Sequence, residues 1–256
     1  MKTKATTPLS RAKTWIVLLV LWLFIPTILS ANPPTAHNEN PQNILFVGNS
    51  FTYYNDSIHN HVRRMLASTQ DNGETMVLLR SMTISGALLS EHEGGFQNLL
   101  QSNNWDVVIL QGHSLEAITD GQSENFRNTA NRYMEAIRNA GATPVLFMTW
   151  AYQGAPEMTA QLARAYTAIA LESGAIVAPV GLAFEKAQSN DKAITLISQD
   201  GKHPTLAGTY LAASVFYGVL FHQSPLELGY TAGLDAGTAR YLRNAAWQTT
   251  QEYLAK

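Results

Sequence analysis

Short apolar runs recur along the chain and predict the buried strands of a sheet. The first is ILFVG at 44–48, and the later ones are MVLLRSMTI, DVVILQ, PVLFMTW and AIVAPV, which begin at residues 76, 106, 144 and 175. Brief apolar runs between turn residues are typical of strands that are buried on both faces. The pattern therefore predicts buried strands at these five places.

Helical patterns separate the apolar runs. SIHNHVRRMLAST follows Asp56, a residue type that can cap a helix. SENFRNTANRYMEAIRNAG and TAQLARAYTAIALESG carry apolar residues at helical spacing and end on Gly141 and Gly174, where glycine can close a helix. Strands that alternate with helices favour a parallel sheet covered on both faces. The predicted fold class is therefore α/β, a three-layer α/β/α sandwich with a central parallel sheet.

Polar residues follow the predicted strands, and in such sheets ligands bind beyond the carboxyl ends of the strands. We therefore expect four segments to lie along one edge, namely Asn49-Ser50, Ser85-Gly86, Gln111-Gly112-His113 and Thr149-Trp150. Far down the chain, Asp200 and His203 precede a strongly apolar helical segment. Pro204 disfavours the helical conformation for His203, so the histidine is expected in a loop that can lean over the same edge.

Ser50, His203 and Asp200 together match the needs of acyl transfer. Such a reaction requires a nucleophile, a base that takes its proton and a group that orients the base. Taken singly, Ser50 could merely cap a helix, and Asp200 could belong to an Asp-Gly turn. Backbone N–H groups of Ser50 and Gly86 are candidate donors to the oxyanion, since glycine allows close approach. The combination predicts a catalytic serine.

Four segments, GNSFT, SGALL, VILQGHS and DGKHPTLAGTYLAA, resemble the SGNH/GDSL hydrolase superfamily, especially a branch of bacterial proteins that carry GNSFTYYND. The resemblance covers almost all of the chain after its first residues, and the motifs occur in the expected order. It implies a flavodoxin-like sandwich in which Ser50 is the nucleophile, His203 the base and Asp200 its orienting partner. It also implies that Gly86 is an oxyanion donor.

The third motif departs from the superfamily pattern, which offers an asparagine side chain to the oxyanion. Here the chain has Gln111-Gly112-His113-Ser114, and we expect Gln111 to supply the amide, with backbone bonding at a strand end as the alternative. Three further residues are expected to contact substrate. They are Asn49, His113 and Trp150, although His113 could instead be structural or a second base, and core packing would also explain Trp150. Tyr53 and Tyr152 are expected to flank the cleft.

The N-terminal segment has the pattern of an export signal. Basic residues precede TWIVLLVLWLFIPTILSAN, an apolar run that ends in small residues. We predict a signal peptide at 1–31, a disordered leader at 32–42 and a catalytic domain at 43–256, with an uncleaved anchor as the alternative. The predicted location is periplasmic or secreted, without stable membrane insertion after cleavage.

Composition excludes several classes of function. The formal net charge is −2 with no basic run after the signal, which argues against nucleic acid as a partner. The chain has no cysteine, so a thiol nucleophile and thiolate metal sites are excluded. His59 and His61 are two apart on a predicted helix and face different directions, which makes a poor metal pair. We expect neither a metal nor a cofactor.

The sequence therefore predicts a secreted serine esterase that acts on small-molecule or polysaccharide esters, with acetyl groups on carbohydrate as the favoured substrate. Ester hydrolysis follows from the three residues, whereas carbohydrate rests on the resemblance, the export signal and the aromatic residues near the cleft. An acyltransferase that uses the same serine is one alternative, because only the acceptor differs. A non-catalytic carbohydrate-binding protein of the same fold is another.

Overall fold

The computed structural model describes residues 1, 40–69, 77–189 and 194–255, so the predicted signal peptide and most of the leader lie outside the described residues. The described chain forms a five-stranded parallel sheet in the order β2-β1-β3-β4-β5. The strands are β1 (Asn43–Gly48), β2 (Leu78–Thr83), β3 (Val107–Leu110), β4 (Thr143–Phe147) and β5 (Ile176–Ala178). All five predicted strands are confirmed.

Alternate residues of the central strands supply two separate cores. In β1, Ile44 and Phe46 belong to one apolar cluster, whereas Leu45 and Val47 belong to the other. Successive side chains of a strand point to opposite faces, so a strand with no polar position is buried on both. The continuous apolar runs therefore place the sheet in the middle of the sandwich.

Helices cover both faces of the sheet. They are α1 (Ser50–Tyr53), α2 (Ile58–Ala67), α3 (Glu93–Gln101), α4 (Ser123–Asn139), α5 (Glu157–Ser173), α6 (Val180–Gln188), α7 (Leu206–Phe221) and α8 (Ala236–Leu254). Buried residues of α2, α6, α7 and α8 share the core with Phe46, and those of α3, α4 and α5 share the core with Val47. The predicted three-layer α/β/α sandwich is confirmed.

Two helix ends follow the glycine signals in the sequence. Gly141, just beyond α4, has a φ of +83°, and Gly174 caps α5 with a φ of +66°. Both values lie in the left-handed region that glycine adopts at low cost. Among the described residues, no helix combines the length and hydrophobicity needed to cross a membrane.

Candidate active site

Ser50 begins the short helix α1 directly beyond β1. A side chain at Gly48 would place its Cβ 2.4 Å from Gln111 Oε1 and 2.6 Å from Thr52 Oγ1, so this turn requires glycine. The next residue, Asn49, caps the helix, because its Oδ1 accepts the backbone N–H of Phe51 at 3.1 Å. Together these contacts present the Ser50 hydroxyl at the carboxyl edge of the sheet.

A continuous hydrogen-bonded relay joins Ser50, His203 and Asp200. The distance from Ser50 Oγ to His203 Nε2 is 2.8 Å, and that from His203 Nδ1 to Asp200 Oδ2 is 2.5 Å. A carboxylate on one ring nitrogen fixes the proton there and leaves the other nitrogen to accept a proton from the serine. The arrangement can therefore generate a serine nucleophile.

Asp200 is held as a carboxylate by several donors. Its other oxygen, Oδ1, accepts the Ser198 hydroxyl at 2.7 Å and the backbone N–H groups of Lys202 and His203 at 2.9 and 3.0 Å. The hydrogen bond from His203 and these additional donors hold the pKa of Asp200 well below its usual range. Asp200 therefore stays ionised throughout the neutral range and can orient the base.

A cavity of about 270 Å³ opens above Ser50. Its lining joins the ends of β1, β2 and β3 to the loops before α5 and α7, and consists of Asn49, Ser50, Phe51, Tyr53, Tyr54, Ser85, Gly86, His113, Ser114, Tyr152, Lys202 and His203. Within the described chain, the backbone N–H groups of Ser50 and Gly86 have no acceptor. Gly86 has a φ of +68°, which glycine adopts readily. Both N–H groups are thus available to a ligand.

Gln111 does not present its amide to this cavity, which corrects the expectation that it would bind the oxyanion. The residue is fully buried, and its Nε2 donates to Asn49 Oδ1 at 2.8 Å and to Gly112 O at 2.6 Å. Its Oε1 accepts the Thr52 hydroxyl at 2.7 Å and the Asn49 N–H at 3.1 Å. Both ends of the amide are engaged, so Gln111 stabilises the turn that carries Ser50.

The Asn49 side chain also makes its hydrogen bonds within the protein. It is 2 % exposed, and its Nδ2 donates to Ala87 O at 3.1 Å while its Oδ1 accepts from Phe51 and Gln111. The expected contact with substrate is therefore replaced by a cross-link between three strand ends. Because Ala87 follows Gly86, the same bond also positions the backbone N–H of Gly86.

Trp150 is likewise a core residue and lies outside the cavity lining. It is fully buried between the rings of Phe51 and Phe184, with centroid distances of 4.2 and 4.4 Å. Its Nε1–H donates to Lys202 O at 3.0 Å, which supports the loop before His203. With no exposed surface it cannot stack on a sugar ring. Tyr53 and Tyr152, in contrast, do line the cavity.

His113 lines the cavity, as a substrate contact would, and its ring makes no hydrogen bond to any of the described residues. Burial, and secondly the charge of Lys202, lower the pKa of His113, which favours its neutral form. Its backbone N–H donates to Glu116 Oε2 at 2.8 Å, and burial raises the pKa of that carboxyl. Glu116, which the sequence analysis did not single out, therefore fixes the turn that presents His113.

Tyr54 and Asn55 are further site residues that the sequence analysis did not assign. The Tyr54 ring stacks on the His203 imidazole with a centroid distance of 4.1 Å and an interplanar angle of 7°. Asn55 Nδ2 donates to Pro204 O at 2.9 Å. Their only signal in the sequence was adjacency to Ser50 in the segment SFTYYND.

No family model matches the sequence, and no curated protein matches it either. Several solved structures are similar in fold. One is a protein from Slackia heliotrinireducens assigned to the SGNH hydrolases, which is 28% identical, with 70% of this chain and 98% of that chain covered and a TM-score of 0.57. The chain has the SGNH-hydrolase fold.

Two other solved structures are also similar in fold. A DUF4886 family protein from Bacteroides uniformis is 18% identical, with a TM-score of 0.64 over 84% of this chain and 96% of that chain. An acetylxylan esterase from Geobacillus stearothermophilus is 14% identical, with a TM-score of 0.54 over 68% of this chain and 92% of that chain. The resemblance to SGNH/GDSL hydrolases is thus confirmed at the level of the fold.

Proposed function

We propose that this SGNH-fold protein is a serine esterase that removes small acyl groups, with acetate on carbohydrate as the favoured substrate class. The observation that carries the proposal is the relay from Ser50 Oγ through His203 to Asp200, at 2.8 and 2.5 Å, beside an open cavity. A serine that serves only as a helix cap has no need of an oriented imidazole.

The proposed reaction follows from these positions. His203 Nε2 takes the proton of Ser50 as Oγ attacks the ester carbonyl, and the N–H groups of Ser50 and Gly86 donate to the resulting oxyanion. The imidazolium, stabilised by Asp200, then protonates the leaving alcohol, and an acyl-enzyme ester remains on Ser50. Water activated by His203 releases the acid and restores the serine.

The size and lining of the cavity support the choice of substrate. A volume of about 270 Å³ lies just below the usual range for pockets that bind drug-sized ligands, which suits a short acyl group better than a long chain. Tyr53 and Tyr152 supply aromatic surface on which a sugar ring can stack. An acetylxylan esterase among the proteins of similar fold is consistent with this choice.

Hydrolysis of p-nitrophenyl acetate, p-nitrophenyl octanoate and acetylated xylose by the purified protein tests the proposal. We expect turnover on both acetates and a kcat/KM at least tenfold lower on the octanoate. Ser50→Ala and His203→Ala should each remove nearly all activity, because nucleophile and base act as a unit. Absence of turnover on every ester, together with no reaction between Ser50 and an organophosphonate, would exclude a serine esterase.

A further inference from the structure

Two residues that follow the nucleophile helix contact the segment that carries the base. The Tyr54 ring covers one face of the His203 imidazole at 4.1 Å, while Asn55 Nδ2 donates to Pro204 O at 2.9 Å and to Thr209 Oγ1 at 2.8 Å. Pro204 directly follows His203, and Thr209 belongs to α7. Tyr54 and Asn55 thus contact both the His203 ring and the backbone of the residue that follows it.

An unusual backbone conformation directs Asn55 towards Pro204. Asn55, Asp56 and Ser57 all have positive φ values, of 50°, 69° and 64°. Non-glycine residues rarely adopt this region, and such strain persists only where surrounding contacts enforce it. One such contact is the Asn55 carbonyl, which lies 2.7 Å from His61 Nε2. Burial lowers the pKa of His61, so its neutral ring can donate here while Nδ1 accepts from Tyr230 OH at 2.9 Å.

We propose that Tyr54 and Asn55 form a clamp that positions the His203 imidazole between Ser50 and Asp200. The inference rests on the proposed function, since it assigns positioning residues to the same reaction. The His203 side chain lies in a loop and is 23% exposed, and Asp200 bonds to the His203 backbone N–H and to Nδ1 at the edge of the ring. The Tyr54–Asn55 clamp adds one restraint on the plane of the ring and another on the adjacent backbone.

The clamp should act mainly on the chemical step. The serine hydroxyl and the base must meet in the correct geometry, and a displacement of about 1 Å can cost 10²-fold in rate. An aromatic face also attracts the imidazolium that forms in the transition state. Loss of either residue should therefore lower kcat with little change in KM.

Asn55→Gly, compared with Asp56→Gly, tests the Asn55 half of the clamp. Glycine tolerates the left-handed backbone at both positions, so both variants relieve similar strain. Only Asn55 contacts the segment after His203, whereas the Asp56 carboxylate pairs with exposed Arg64. On p-nitrophenyl acetate we expect Asn55→Gly to lower kcat about 10- to 100-fold with KM within about threefold, and Asp56→Gly to stay within about twofold of wild type.

Tyr54→Leu and Tyr54→Phe test the other half. Phenylalanine keeps the stacked ring and should retain most of kcat, whereas leucine should lower kcat about tenfold. Because both residues position the same imidazole, Tyr54→Leu combined with Asn55→Gly should lose less than the product of the two single losses. Urea unfolding of each variant shows whether the protein assayed is folded.

Proton NMR of the His203 Nδ1–H, deshielded by its short bond to Asp200, provides a readout that needs no substrate. We expect the resonance to shift and broaden in Asn55→Gly and Tyr54→Leu, and to remain unchanged in Asp56→Gly. If the wild type hydrolyses no ester but these differences persist, the proposed function fails while the clamp stands. If folded Asn55→Gly matches Asp56→Gly in both kcat and resonance position, the clamp is overturned.

Discussion

Replacing Gln111 with alanine should lower the free energy of unfolding, rather than remove a group that takes part in catalysis. The side chain is fully buried and makes four hydrogen bonds, to Asn49 N and Oδ1, Thr52 Oγ1 and Gly112 O. Its loss removes the acceptor for two buried donors, the Asn49 N–H and the Thr52 hydroxyl. Asn49 Oδ1, in contrast, keeps its bond from the Phe51 N–H at 3.1 Å.

The expected magnitude follows from those two orphaned donors. Each unsatisfied buried group costs about 1–3 kcal/mol, so the free energy of unfolding should fall by about 4 kcal/mol. For a domain of this size, 1 kcal/mol corresponds to about 2–4 °C in Tm, which gives a decrease on the order of 10 °C. Gln161→Ala, an exposed change on α5, serves as the control and should shift stability by less than about 0.5 kcal/mol.

Urea unfolding measures this loss, and kcat measured well below the new Tm separates it from catalysis. An oxyanion donor behaves in the opposite way, because its removal lowers kcat by about 10²–10³ and leaves stability nearly intact. A Gln111→Ala variant with wild-type stability and a kcat reduced by that factor would refute the structural role and restore Gln111 to the oxyanion site.

Further predictions concern the nucleophile, the orienting carboxylate, acid stability and the cavity charge. Ser50→Ala should bind substrate analogues and keep wild-type stability while losing turnover. Asp200→Asn should retain a residual kcat, because Tyr54 and Asn55 still hold His203; losses of kcat that are equal for the two variants would contradict this. Burial lowers the pKa of His59 to about 4, so its protonation is favoured in the unfolded chain and folding stability should fall between pH 7 and pH 5, by about 1 kcal/mol once solvent screening of the partly exposed ring is included. His59→Phe should reduce that decrease in urea titrations at the two pH values, whereas an unchanged decrease would show that His59 does not contribute to it. Lys202 Nζ lies 5.3 Å from the centre of the Tyr152 ring at the cavity, and no carboxylate of the described residues pairs with it. Lys202→Met should therefore lower the ratio of kcat/KM for 4-acetoxybenzoate over neutral 4-acetoxybenzamide about two- to fivefold, while Lys186→Met, which removes a remote charge paired with Glu252, should leave it unchanged.

The layers of the sandwich could be predicted from the sequence because each apolar run has one physical explanation. A strand such as β1, in which Ile44, Leu45, Phe46 and Val47 are all apolar, must be covered on both faces. Parallel strands also bring their carboxyl ends to one edge, which is why residues as distant as Ser50, Gly86 and His113 line one cavity. Pro204 correctly indicated that His203 precedes the helix rather than joining it.

The roles of individual polar residues could not be predicted, because they depend on the register between strands. β1 and β3 pair Val47 with Leu110, so the positions beyond them, Gly48 and Gln111, lie side by side. The absent side chain of Gly48 leaves the space that the Gln111 amide fills. Sequence spacing showed that Gln111 ends a strand, but not that its amide would turn inward.

The packing of aromatic side chains could not be predicted from the sequence either. Trp150 follows β4 and could have faced either the cavity or the core, and the stack with Phe51 and Phe184 places it in the core. The clamp residue Asn55 depends on a left-handed backbone that no pattern of apolar positions reveals, although asparagine tolerates that conformation better than most residues.

Trapping of the acyl-enzyme tests the central claim most directly. Wild-type protein is mixed with p-nitrophenyl acetate, quenched in acid within milliseconds and digested, and the peptides are mapped by mass spectrometry. We predict one acetylated side chain, at Ser50, that accumulates with the burst of p-nitrophenol and is absent from Ser50→Ala and His203→Ala. Full turnover by Ser50→Ala, or acetyl groups confined to other residues, would contradict a mechanism based on Ser50.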